Sequence, residues 1–280
     1  MKCAWEAYIN LLPHWMRQEV DKQGREDLQE LHLRIGLEPE LIFQQGGRML
    51  PRKITKEDIG FVINVASEYS PWAAKSIAQG FLTAQGGHRI GVCGVSSVIN
   101  GTVTGISLPT SLCMRVARDF ENIAQEAMNI SGSILIIGPP GSGKTTLLRD
   151  LIRSKSNARQ GSVAVVDERE ELFPLFKGQP CFPAGIRTDI MSGCPKAIGI
   201  EAVLRSMNPT WIAVDEITAK SDCEALLHAG WCGVNLIATA HAGSLLELRT
   251  RPIYQSLINY KLFSTVLILR RDKSWKMERI

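Results

Sequence analysis

Gly138-Pro139-Pro140-Gly141-Ser142-Gly143-Lys144-Thr145 is a complete phosphate-binding loop of the Walker A pattern. The apolar run Ile134-Leu135-Ile136-Ile137 precedes it and reads as a buried strand, and Thr146-Leu147-Leu148-Arg149-Asp150-Leu151-Ile152 follows with helical apolar spacing. Strand, loop and helix in that order is the setting such a loop needs. Glycines 138, 141 and 143 let the chain turn tightly, so that its N–H groups surround an anion with help from the positive end of the new helix. The pattern places residues 138 to 146, Pro139, Pro140, Ser142 and Thr146 included, around ATP. Lys144 meets the β- and γ-phosphates, and the Thr145 hydroxyl meets the Mg²⁺ that they share.

Working outward, Trp211-Ile212-Ala213-Val214 is a second short apolar strand, ending in Asp215-Glu216. Two acids there suit a Walker B element, Asp215 in the metal shell and Glu216 orienting or deprotonating the attacking water. Ser162-Val163-Ala164-Val165-Val166 runs into Asp167-Glu168-Arg169-Glu170-Glu171, and Val234-Asn235-Leu236-Ile237-Ala238-Thr239-Ala240 runs into His241. Taken alone, the acidic cluster is equally a helix start and His241 equally a surface histidine. Four strands delivering polar residues at the same end imply one shared crevice, with Glu168 as an alternative base to Glu216.

Helical signals separate these strands. Ile200 to Met207 breaks at Asn208-Pro209, and Ser221 to Ala229 stops at Gly230. Alternating strands and helices predict an α/β domain with a parallel sheet over 132–280, its last strand near Ser264 to Arg270. The first half reads differently. Leu31 to Ile35 and Glu40 to Phe43 are strands, the second followed by a turn at Gly46-Gly47. Thr55 and Asp58 open a helix with Ile59, Val62, Ile63, Ala66 and Tyr69 on one stripe, ending before Pro71. Gly80 to Thr83, a turn at Gly86-Gly87, and strands from Arg89 through Val103 and at Met114 to Val116 complete a smaller α+β domain over 1–116. Residues 117–131 join the two, with Ala117 to Ile123 helical.

The 280 residues and the 45% hydrophobic fraction suffice for two modest cores. A net charge of +4 lacks the concentrated basic stripe of a dedicated nucleic-acid binder, and no nucleic acid is expected as a partner. Mild basicity is compatible with peripheral contact to an anionic membrane. Seven cysteines without CxxC or zinc spacing read as reduced thiols of a cytoplasmic protein, and no signal peptide or membrane span is evident.

Nearly the whole chain resembles the stage III sporulation AA family, relatives of the type II and type IV secretion and pilus ATPases. The first-half likeness lies in Leu31-His32-Leu33-Arg34-Ile35-Gly36, Gly80-Phe81-Leu82-Thr83, Gly86-Gly87-His88-Arg89-Ile90-Gly91 and Ser111 to Arg118. In the second half Val166-Asp167-Glu168-Arg169 is similar to an acidic box, Leu204 to Pro209 to the segment before the acidic strand, and Ala238-Thr239-Ala240-His241-Ala242 to a histidine box. Asp215-Glu216 departs from the Gly-Glu common in secretion ATPases, so the metal role of Asp215 rests on general NTPase logic. The resemblance implies a RecA/AAA+-like P-loop domain and a homo-oligomer, a hexameric ring with nucleotide between subunits. An arginine, Arg89, Arg115 or Arg118, would be delivered in trans, and His241 would sense the departing γ-phosphate. It further implies an ATP-hydrolysing motor for a secretion-like complex of membrane-embedded stage III sporulation proteins, at the cytoplasmic face in the mother cell. Two other readings stay open on residues alone, a nucleotide-dependent nucleic-acid protein and a non-hydrolytic ATP-binding scaffold.

Overall fold

The alternation in Glu30-Leu31-His32-Leu33-Arg34 buries Leu31 and Leu33 and turns the polar residues to the opposite face. In the computed structural model, which describes residues 1–68, 77, 80–158 and 161–280, this is strand β1 (Glu30–Arg34). It joins β2 (Glu40–Phe43), β3 (Gly46–Met49), β4 (Phe81–Thr83), β5 (Arg89–Ile99) and β6 (Thr102–Arg115) in the order β3-β2-β1-β6-β5-β4, every pair antiparallel. The turn expected at Gly46-Gly47 falls on Gln44-Gln45, and the glycines open β3. The strand series through Val103 is one long hairpin, closed by Asn100 and Gly101 at φ +50° and +76°, the left-handed pair a tight hairpin requires.

Helices α1 (Trp5–Asn10), α2 (His14–Gly24) and α3 (Lys56–Ala66) complete this core with Tyr8, Met16, Val20, Ile59 and Val62, joined by Leu12 from the turn between α1 and α2. The capping pair forms as expected: the Asp58 N–H donates to the Thr55 hydroxyl at 3.3 Å and the Thr55 N–H to the Asp58 carboxylate at 2.9 Å. Tyr69 and Pro71 lie outside the described residues.

His88 is part of this core. Its Nδ1 accepts from the Ala117 N–H at 3.1 Å, so the proton sits on Nε2, which donates to the Ala4 carbonyl at 2.9 Å, and the ring meets Tyr8 edge-on. Burial pulls its pKa down from 6.5 to about 4. A depressed histidine stabilises the fold above its unfolded pKa, and that stability is lost as pH falls from 6.5 towards 4. Urea unfolding should show about 2 kcal/mol less stability at pH 5 than at pH 7 from this group, a difference absent in His88→Asn.

The chain divides into two compact units, Met1–Asp119 with Leu175–Cys181, and Phe120–Pro174 with Phe182–Ile280. In the second, β7 (Ile134–Ile137) and β8 (Val163–Asp167) are buried along their whole length, as strands of a parallel sheet covered on both faces must be. The small hairpin of β9 (Leu175–Phe176) and β10 (Gln179–Pro180) belongs to the first unit. With β11 (Thr188–Ser192), β12 (Trp211–Val214), β13 (Asn235–Ala240), β14 (Thr265–Leu269) and β15 (Trp275–Arg279), the sheet of the second unit runs β11-β8-β12-β13-β7-β14-β15. All neighbours are parallel except β14 and β15. Its helices are α4 (Lys144–Asn157), α5 (Lys196–Ser206), α6 (Lys220–Trp231), α7 (Leu245–Thr250) and α8 (Gln255–Asn259). No α-helix forms over 117–123, in contrast to the expected helical joint. Asp119 bridges to Lys2 in strand fashion, and Asn122 takes φ +66°. The Asp150 carboxylate then receives the Asn122 and Ala124 N–H groups at 3.2 and 2.9 Å, caps that replace a helical ladder. Among the described residues no helix is long and apolar enough to cross a membrane.

Candidate functional site

The glycine-rich loop leaves β7 and enters α4 through Gly141 and Gly143, at φ +72° and +96°. A side chain at Gly138 would lie 2.6 Å from the Ser142 hydroxyl and 3.0 Å from the Leu269 carbonyl, so only glycine fits there. The Ser142 hydroxyl is buried, with no hydrogen-bond partner among the described residues, a polar atom suited to a ligand in the loop. Lys144 donates to the Gly138 and Pro139 carbonyls at 2.9 and 3.1 Å. Burial lowers its pKa, opposed by the nearby Asp215 and Glu216 carboxylates.

The carboxyl ends of the adjacent strands meet this loop. The Thr145 hydroxyl donates to one oxygen of Asp215 at 2.8 Å, and the Thr239 hydroxyl, from β13, to the other at 2.5 Å. Two hydroxyls around a carboxylate form a set of hard oxygens that fits Mg²⁺. The Glu216 N–H donates to Thr239 at 2.8 Å, holding Glu216 at φ +46°, an uncommon conformation for a non-glycine residue. The ammonium of Lys144 lies 3.1 Å from His241 Nδ1 and can only donate, so the ring proton sits on Nε2. That Nε2 lies 3.0 Å from one oxygen of Glu216, and Arg169 holds the other at 3.2 Å. Lys144, His241, Glu216 and Arg169 therefore form one continuous chain of charge-assisted contacts.

The acidic run after β8 divides its labour. Asp167 turns inward and accepts the N–H groups of Glu171, Leu172 and Phe173 at 2.9, 3.0 and 2.8 Å. Burial nevertheless raises its pKa. It shapes the loop through these three contacts while lining the same crevice as Glu168, Asp215 and Glu216. Glu168 does line the crevice beside Asp215 and Glu216, but it is paired with the buried Lys196.

The three candidate arginines belong to the first unit. Arg89 lies over the Phe81 ring at 3.9 Å, and Arg115, opposite it across β5 and β6, pairs with Glu30 at 3.1 Å. Arg118 donates to the Leu28 carbonyl at 2.5 Å. Glu30, His32 and Cys113 gather donor atoms within 4.8 Å of one another on this sheet, a grouping the cysteine spacing did not announce. Arg34 faces His32 Nδ1 at 3.0 Å and Arg115 holds Glu30, so these residues form an ion-pair network. Sequence reasoning also passed over Arg169, Lys196 and Thr239. Of these, Arg169 and Thr239 lie inside the acidic and histidine boxes quoted above, whereas Lys196 carried no signal.

A model of the family described as sporulation stage III, protein AA, matches residues 6–277. Stage III sporulation protein AA of Bacillus subtilis (strain 168) is 36% identical over 276 residues, covering 94% of this chain and 90% of that protein. The protein SEEDLING PLASTID DEVELOPMENT 1 of Arabidopsis thaliana is 28% identical over 90% of this chain, which spans only 36% of that protein. Among solved structures, the Legionella pneumophila ATPase DotB has a TM-score of 0.57 at 16% identity, covering 96% of this chain and 80% of that one. The pilus retraction motor PilT with bound ADP has a TM-score of 0.59 at 15% identity, covering 94% and 81%. At such identities the likeness shows a shared fold, that of the P-loop secretion ATPases.

Proposed function

We propose that this chain, which belongs to the sporulation stage III protein AA family, is a ring-forming ATPase whose ATP hydrolysis drives a secretion-like complex in sporulation. The observation that carries the reading is the contact chain from Lys144 through His241 to Glu216, beside the Thr145–Asp215 pair, at the carboxyl ends of neighbouring parallel strands. The backbone N–H groups of the loop and the Lys144 ammonium bind and orient the triphosphate. Mg²⁺, when bound by Thr145 and Asp215, supplies charge neutralisation for the β- and γ-oxygens. Glu216 takes the proton of the attacking water, and His241 and Arg169 hold its carboxylate in position until then. His241, linked to both Lys144 and Glu216, relays the loss of the terminal phosphate to the strand ends.

Transition-state charge at the terminal phosphate calls for a further cation, and Arg89, Arg115 or Arg118 of a neighbouring copy supplies it in a homohexamer. Membrane-embedded stage III sporulation proteins are the partners proposed at the cytoplasmic face in the mother cell. An active site completed between subunits gains specific activity as subunits associate. ATPase activity per chain should therefore rise at least tenfold across the concentration range in which light scattering shows rings forming. A specific activity independent of concentration would remove the shared-site proposal.

A further inference from the structure

A second lysine stands at the glycine-rich loop, on the side away from Glu216 and His241. Strand β14 runs parallel to β7, so the turn that follows it emerges beside the loop that follows β7. This turn is firmly held. The Arg270 N–H donates to the Ser274 carbonyl at 2.9 Å and the Lys273 N–H to the Arg270 carbonyl at 3.2 Å. The Asp272 carboxylate accepts from the Ser274 N–H and hydroxyl at 3.0 and 2.6 Å. Within it Lys273 takes φ +71°, a left-handed conformation that costs a residue with a side chain and needs support. From there its ammonium donates to the Gly141 carbonyl, and its stem lies 3.7 Å from the point a Cβ on Gly143 would occupy.

Lys144 has partners of the same kind, the carbonyls of Gly138 and Pro139. The two lysines hold the start and the middle of one loop through neutral carbonyl oxygens, weaker acceptors than an ionised phosphate. Their flanks differ. Strands β13 and β12 lie on one side of β7 and carry His241, Asp215 and Glu216, whereas β14 lies on the other. A cation on the β14 flank therefore meets a nucleotide away from its terminal phosphate. We propose that Lys273 is a second nucleotide-binding lysine of the site, contacting the α-phosphate. The proposal rests on the nucleotide-binding reading given above.

An α-phosphate contact is made equally in the ground state and the transition state, so it contributes uniform binding and does not speed the chemical step. In the full-length protein, Lys273→Met should weaken binding of a fluorescent ADP about tenfold and raise the KM for ATP by a similar factor, with kcat within twofold of the parent. Lys273→Arg, which keeps the charge, should recover most of that affinity. Lys276→Met is the control: Lys276 is exposed on β15 and pairs with Glu278, and its loss removes the same charge three residues further on. It should leave ADP affinity unchanged. Melting followed by circular dichroism reports on folding, and Lys273→Arg keeps the comparison valid if the methionine variant melts early. Unaltered ADP affinity in Lys273→Met, or an equal loss in Lys276→Met, overturns the assignment. A fall in kcat at unchanged affinity overturns it too, by moving Lys273 to the chemical step. If the parent protein itself bound no ADP, the nucleotide reading would fall and take this inference with it, an outcome distinct from the other three.

Discussion

Lys144→Ala is expected to abolish measurable phosphate release from ATP and to weaken ADP binding by about 100-fold, the upper range for a hydrogen bond to a charged group. Lys144 is buried at the first turn of α4, and its ammonium already faces loop carbonyls and His241 Nδ1. A phosphate held by the loop N–H groups competes with those neutral acceptors for the ammonium and is the stronger acceptor, so the lysine needs only a small shift to reach its ligand. Its removal also leaves the Gly138 and Pro139 carbonyls without that donor and frees His241 from the partner that sets its tautomer. The folding cost should stay near 1–2 kcal/mol, the value of ordinary hydrogen bonds, so the variant remains folded enough to assay. Fluorescent ADP titration and phosphate release, read beside a thermal melt, check all three statements. Normal ADP affinity in a folded Lys144→Ala protein would remove the phosphate site from this loop.

The parts of the molecule that could be read from sequence are those where a local rule and burial agree. Strands β7, β8, β12 and β13 are short β-branched or apolar runs ended by functional residues, and each was placed within about one residue of its observed limits. Helix α3 was found through Thr55 and Asp58, whose reciprocal hydrogen bonds are a local device. Strands β11 (Thr188–Ser192) and β15 (Trp275–Arg279) were not found, because both are short, polar edge strands: β11 shows no two-residue period, and β15 alternates over only Trp275 to Glu278. The same logic separates the site residues. Gly138, Lys144, Thr145, Asp215, Glu216 and His241 come together at one sheet edge because each sits beside the end of a strand that could be recognised. Arg169 and Lys196 acquire their roles through partners 47 and 28 residues away, which no spacing encodes. The loop-holding role of Asp167 is hidden for a similar reason, since a carboxylate after a strand looks the same in sequence whether it faces a crevice or caps a loop. His88 is the converse case, a residue of a distinctive motif whose two ring nitrogens are both used to hold the first unit together.

Glu216→Gln should leave ADP and ATP binding within a few-fold of the parent and reduce turnover by about 10²- to 10⁴-fold, the range for loss of a positioned general base. The amide keeps the shape of the carboxylate and can still accept from Arg169 or His241, so the contact chain survives while the proton acceptor is lost. Glu168→Gln separates the two candidate bases, because Glu168 is tied to Lys196, which is 3% exposed. Neutralising Glu168 leaves that ammonium buried without its counter-charge, a fault in stability and not in chemistry; because the Glu168 carboxylate is 36% exposed, the expected cost is about 1–2 kcal/mol. Glu168→Gln should therefore lower the melting temperature and leave kcat within a few-fold of the parent, whereas Glu216→Gln should do the reverse. Single-turnover phosphate release on both variants, with melts alongside, decides between them. A Glu216→Gln protein that hydrolysed ATP at the parent rate, next to a Glu168→Gln protein that was folded but inactive, would transfer the base to the end of β8 and leave Glu216 as a partner that orients His241.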